Sequence, residues 1–129
     1  MDKDVHSSNP RVVIIQKLYS QYINKVEKIE FRKHRYKKFI KDIVFGTLER
    51  KELINKIIEK NLSKDINIYR TDTLLIIFLH AAIFELLYRP QTSINIIIHE
   101  YLNSSKYFLG QSQKGFLNAM LDKISKKIR

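Results

Sequence analysis

The sequence predicts an all-α single domain, and three observations carry that prediction. Only three Gly and two Pro punctuate the 129 residues, too few turn formers for a sandwich or barrel with a hairpin about every ten residues. Apolar side chains recur at helical spacing in one segment after another. One segment is apolar almost all round, as a helix enclosed by other helices must be. With 44% hydrophobic and 29% charged residues the chain falls in the ordinary globular range, which excludes wholesale disorder and collagen-like or low-complexity classes.

In chain order, residues 1–9 read as a flexible polar lead-in that holds Asp2, Lys3, Asp4 and His6 and no apolar stretch fit for a signal-peptide core. The helical domain is expected over residues 10–129. Pro10 suits a first helical turn, and behind it Val12, Ile15, Leu18, Tyr19 and Tyr22 share a face. Tyr36, Phe39, Ile40, Ile43 and Val44 make a second stripe that ends near Gly46. Leu53, Ile54, Ile57, Ile58 and Leu62 make a third, with Glu49 and Glu52 at its amino end, where acids complement the helix dipole. A tight turn joins these two surface helices.

Asp72 to Leu87 is the enclosed helix, interrupted only by His80 and Glu85, and it is the expected central post. The apolar tract from Leu74 to Tyr88, about fifteen residues, falls short of the roughly 20 that a membrane span needs. Arg89, Pro90 and Gln91 break the chain, and Thr92 or Ser93 caps the next helix through Ile94, Ile97, Ile98, Tyr101, Leu102 and Phe108. Isoleucine is abundant, twenty of 129, and favours strands, but the longer 3.6-residue pattern overrides that preference. The last helix carries Phe116, Leu117, Met120, Leu121, Ile124 and Ile128 on one face, with Gly115 just before the stripe and Ser112 as its expected cap. No repeat of fixed period and no dividing linker appears.

The net charge of +11 attracts polyanions, whether nucleic acid or an anionic membrane. Its distribution is uneven. Residues 25–41 carry eight Lys and Arg against Glu27 and Glu30, a net +6, and residues 114–129 carry five against Asp122, a net +4. Between Thr71 and Ser105 only Arg89 opposes Asp72, Glu85 and Glu100, a net −2. Each basic cluster reads either as a binding surface or as a solvated helix face.

Chemistry is sparse. Cysteine is absent, which removes disulfides, thiolate ligands and a thiol nucleophile and fits a reducing cytoplasm. No GxxxxGK[ST], GxGxxG, HExxH or i, i+4 His pair occurs, so neither a metal nor another cofactor is expected, nor an enzyme. His80 reads as a hydrogen-bonded core residue before a general base. His99 and Glu100 are adjacent and point about 100° apart on a helix. Glu85, a carboxylate in an apolar helix, requires a partner from a neighbouring helix or a cation.

Taken in order, the motifs resemble the NusB family of bacterial transcription antitermination factors. Arg11, Gln16, Leu18 and Tyr19 follow the family's amino-terminal pattern, and Phe39 or Ile40 through Ile43, Val44 and Gly46 its Phe-x-x-x-Leu-Val-x-Gly element. Phe84-Glu85-Leu86 is similar to its Tyr-Glu-Leu, Ile96 to Tyr101 to its Val-Val-Ile-Asn-Glu-Tyr, and Phe116 to Asp122 to its Phe-Val-Asn-Gly-Val-Leu-Asp. The resemblance covers about residues 11–129.

The resemblance implies about six to seven helices in two small bundles that share a core, without catalysis. It implies binding of boxA RNA in nascent ribosomal RNA transcripts together with NusE, the small-subunit ribosomal protein, in a complex with RNA polymerase and other Nus factors. Carried over, it points to Arg11 as the surviving arginine, to Ser112 and Lys114 in a loop before the last helix, to Phe116 as a base-stacking aromatic, and to Tyr19 near the protein partner. For Phe116 the competing role is core packing, and for Arg11 a solvated charge near a helix start.

The departures bear on function. Where the family has consecutive arginines this chain has Ser7, Ser8, Asn9, Pro10 and Arg11, so an electrostatic anchor is missing. The segment between the first two helices is shorter, and its Lys and Arg run is a candidate substitute. His99 stands for Asn, His80 for Arg and Ala119 for Gly, and Leu74 and Leu75 are apolar where the family has acids for its protein partner. Two other readings stay open: a NusB-fold interaction module or homodimer with weakened RNA contact, and the NusB-like regulatory domain of ribosomal RNA cytosine methyltransferases, which a chain of this length disfavours.

Overall fold

The computed structural model describes residues 7–25, 28–62 and 71–129. These residues form six helices and no strand: α1 (Pro10–Asn24), α2 (Lys37–Glu49), α3 (Lys51–Asn61), α4 (Thr73–Tyr88), α5 (Ile94–Ser105) and α6 (Gln111–Ile128). Of the lead-in predicted over 1–9, residues 1–6 lie outside the described residues. Ser7 and Asn9 are tied to the fold: Ser7 O accepts from His34 Nε2 (3.0 Å) and Asn9 Nδ2 donates to Ser104 Oγ (3.4 Å).

Local chemistry sets the helix starts. Asn9 Oδ1 accepts the Arg11 N–H (3.0 Å), and Pro10 occupies the first helical position, where its missing N–H costs nothing. Asp72 Oδ1 accepts from the N–H of Leu74 (2.9 Å) and of Leu75 (3.3 Å). Of the two cap candidates for α5, Ser93 takes the role and bonds Ile96 N–H (3.2 Å).

α4 packs against all five other helices, as its all-round apolarity predicts. α1 with α2, and α5 with α6, form the two groups that share it. Ile77, Phe78, Leu79, Ala81, Ala82 and Ile83 are wholly buried there. The basic start of α2 (Lys37, Lys38) and the basic end of α6 (Lys126, Lys127) are exposed. At the carboxyl end of α4, Arg129 donates to the carbonyls of Leu86 (2.7 Å) and Arg89 (2.7 Å), where cations suit the negative pole of the dipole.

Several boundaries differ from the sequence reading. Gly46 does not end α2, which continues to Glu49. A Cβ at Gly46 would lie 2.1 Å from Phe84 Cζ, so the glycine marks a close crossing of α2 and α4. Only Arg50 separates α2 from α3, so Glu49 closes one helix and Glu52 alone opens the next. Tyr36 and Leu53, placed on apolar stripes by spacing, are exposed: Tyr36 precedes the first turn of α2, and α3 buries a narrower face built on Ile54 and Ile58. α5 stops at Ser105, and Phe108 follows in a turn whose N–H donates to Ser105 O (2.9 Å). Its ring still packs on Phe78, 5.7 Å between centroids. α6 begins before the expected cap: Gly110 is the cap residue, its N–H donating to Gln113 Oε1 (3.0 Å), and Ser112 and Gly115 lie inside the helix.

Gly46→Ala is expected to lower stability by about 1–3 kcal/mol through overpacking, measured by urea unfolding. Adding Phe84→Leu should recover part of that loss, because it removes the atoms that the new methyl meets.

Candidate nucleic-acid interface

The candidate surface rests on a buried polar cluster. Glu85, on α4, is fully buried. Arg11, from the first turn of α1, donates to it through Nε (3.0 Å) and Nη2 (2.7 Å), a bidentate pair. The Tyr101 hydroxyl on α5 donates to the same carboxylate. The Arg11 guanidinium carbon stands 5.1 Å from the Phe39 ring centroid and 5.5 Å from that of Tyr101, within cation–π range. Burial opposes the Arg11 charge, but the hydrogen bond and charge of Glu85 outweigh it and raise its pKa. Burial, with the neighbouring Glu85 charge, holds the Tyr101 hydroxyl protonated well above its usual range. The partner that Glu85 required is therefore Arg11, and one cluster joins α1, α2, α4 and α5.

Arg11 is a structural residue here. Its side chain is 12% exposed and Nε and Nη2 are taken up by Glu85, so the solvated charge expected from the sequence does not fit its position. Separating such a buried pair costs about 3–5 kcal/mol, which opposes turning the guanidinium towards a phosphate.

His80 forms a second buried polar centre. Asn55 Oδ1 accepts at 2.6 Å from Nε2, which places the ring proton there, and Nδ1 accepts from the Tyr22 hydroxyl at 2.6 Å. Burial, assisted by the Lys51 charge, lowers its pKa to about 4. This neutral, fully bonded imidazole fits the core role.

The remaining candidates sit at the amino end of α6. Ser112 is exposed, and Lys114 and Phe116 are half-buried. All three lie within α6, where the sequence placed the first two in a preceding loop. Phe116 packs partly against the core and stays partly exposed. Tyr19 packs partly against the same core from α1. Leu75 is buried and Leu74 half-buried, so packing accounts for their apolarity. Ala119 and His99 are exposed.

Two hydrogen bonds draw distant segments to this end. Asn9 Nδ2 donates to Ser104 Oγ (3.4 Å), joining the start of α1 to the end of α5. His34 Nδ1 accepts the Tyr36 N–H (2.9 Å), so Nε2 carries the proton and donates to Ser7 O (3.0 Å). The basic segment before α2 thus lies against the chain entering α1. Sequence reasoning missed Tyr107, 64% exposed in the turn between α5 and α6, with Lys106 Nζ 5.2 Å from its ring centroid. The adjacent base and aromatic were the available signal.

A profile of the NusB family matches residues 4–126. The chain belongs to the NusB family. It is 30% identical over 87 residues to the transcription antitermination protein NusB of Mesorhizobium japonicum, covering 67% of this chain and 56% of that protein. It is 32% identical over 91 residues to that of Sphingopyxis alaskensis, covering 70% and 61%. These matched stretches span less than two thirds of the curated relatives. The fold is similar to T. maritima NusB, with a TM-score of 0.81, 22% identity and coverage of 93% and 90% of the two chains. Among the described residues no helix is long and apolar enough to cross a membrane. Arg11, Glu85 and Tyr101, which carried the NusB resemblance, meet in the buried cluster.

Glu85→Gln leaves Arg11 buried without its counter-charge, and unfolding should show a loss of about 3–5 kcal/mol. For His80 the folded pKa lies below the unfolded value of 6.5, so the unfolded chain binds the extra proton and stability falls as pH drops from about 6.5 to about 4. The loss should approach roughly 3 kcal/mol, and His80→Gln should remove this component from the pH profile of urea unfolding.

Proposed function

We propose that this NusB-family chain is a non-catalytic transcription antitermination factor. It binds boxA-type single-stranded RNA in nascent ribosomal transcripts together with NusE, in a complex with RNA polymerase and other Nus factors. The observation that carries this reading is the joining of three segments at one end. Asn9 holds Ser104 and His34 holds Ser7, so the basic segment before α2, the start of α1 and the approach to α6 form one cationic surface with exposed aromatic edges. Single-stranded RNA is recognised by that combination, cations on the phosphates and aromatics on unstacked bases.

In this reading Lys114 neutralises a phosphate, Ser112 donates or accepts at the sugar–phosphate edge, and the exposed part of the Phe116 ring stacks on a base. Arg11 supports the surface from within. Tyr19, on α1, contributes to the face that meets NusE.

A titration with boxA-type RNA, with and without NusE, tests the reading. With four or five phosphates neutralised, log affinity should fall against log salt with a slope of roughly −3. Lys114→Ala should reduce that slope by about 0.7. Phe116→Ala should lower affinity by about 1–3 kcal/mol at unchanged slope, with the helical circular dichroism retained. A flat salt response, or equal binding of scrambled RNA, contradicts specific recognition.

A further inference from the structure

Between α1 and the segment that leads into α2 lies a cavity of about 60 Å³. At about 10–15 Å³ per water-sized group it seats about four to six such groups, room enough for a tetrahedral phosphate. Its polar lining includes Ser7, Gln16, Lys17, Arg32, Lys33 and Lys37, and among the described residues no Asp or Glu lines it. Among the described residues the ion pairs are Arg11 with Glu85, Lys38 with Asp42 and Lys126 with Asp122, so none engages the four cations around the cavity.

The site is built by the fold. His34, also on its wall, is locked by its bonds to Ser7 O and Tyr36 N–H, and Lys37 N–H donates to His34 O (3.2 Å), so the bases on either side of His34 are held at the cavity. Phe31 also lines the cavity. Lys17 Nζ stands 5.9 Å and Lys41 Nζ 5.8 Å from its ring centroid, and Phe45 packs edge-on at 5.6 Å. An ammonium held over an aromatic face keeps its charge with less water around it, and such cations stand ready for an anion.

We propose that this cavity is a phosphate-binding site that anchors the backbone of the bound RNA. Four cations without an ion-pair partner among the described residues, a lining without a carboxylate among those residues and room for an oxyanion suit a phosphodiester ligand. The His34–Ser7 bond places the site beside the chain entry to α1. The inference rests on the RNA-binding reading for the identity of the phosphate donor, while the phosphate site stands on its own geometry.

The test uses the full chain in two arms. Inorganic phosphate is titrated while amide shifts are followed by NMR, and saturable shifts are expected at Gln16, Lys17 and Phe31 to Lys37. Their absence overturns the site, whatever the chain does with RNA. In the second arm, Lys33→Ala with Lys37→Ala, both exposed positions, is titrated with single-stranded boxA-type RNA. Loss of two contacts should reduce the salt slope by about 1.4, a loss of about 25-fold in affinity at 0.1 M salt. Wild-type-like affinity and slope in the double variant overturn the anchor and leave the α6 surface as the RNA site. Phosphate-induced shifts together with no RNA binding by the wild-type chain defeat the RNA reading, and the site then stands as a phosphate site only. Displacement of phosphate by polyglutamate as readily as by RNA assigns the surface to an acidic protein and overturns the proposal.

Discussion

The carboxylate of Glu85 is the constraint around which the molecule is arranged. A charge with no solvent exposure is tolerated only when partners meet most of its lone pairs. Arg11 and Tyr101 meet them from two other helices. Removal of any one partner leaves polar groups stranded in a medium where they interact strongly and have no water to turn to. The cluster therefore fixes how α1 and α5 lie on α4, and with them the end of the molecule where Asn9 meets Ser104.

This arrangement separates two kinds of cation. Arg11 is largely withdrawn from solvent and spends its Nε and an Nη2 donor on the fold. Lys17, Arg32, Lys33, Lys37 and Lys114 lie at the surface or half-buried without acidic partners among the described residues, and their charge is available to a polyanion. Surface lysines lose little by binding phosphate, because released counterions supply the driving force. A desolvated guanidinium would have to break its pair first. The high net charge and the membership of the NusB family thus have different structural bases, the first peripheral and the second central.

Much of the fold was legible from periodicity, because burial of one helix face imposes a 3.6-residue repeat on the chain. The all-round apolarity of Leu74 to Leu87 identified the helix that every other helix contacts. What escaped were features set by tertiary approach. Gly46 looks like a helix terminator in sequence, and only the position of Phe84 reveals it as a contact. Glu85 announced its need for a partner, but nothing local pointed to a residue 74 positions away. Ser112 is a better intrinsic cap than Gly110, yet Gln113 reaches back to Gly110 N–H, and the glycine to glutamine spacing was the overlooked signal. The candidate site was legible at α6 and less so at residues 31–37, whose charge run became a cavity only through the bond of His34 to Ser7.

The division between buried and available cations is tested most directly by replacing the whole cluster with apolar groups of similar size, Arg11→Met with Glu85→Leu and Tyr101→Phe, and measuring both unfolding and RNA affinity. Such replacements of buried ion pairs are often neutral or stabilising, by about 1–4 kcal/mol. The account predicts a folded variant whose RNA affinity and salt slope match those of the unaltered chain. A variant that folds as well but loses RNA affinity, with the salt slope reduced by about 0.7, would place Arg11 on the phosphate backbone and contradict it.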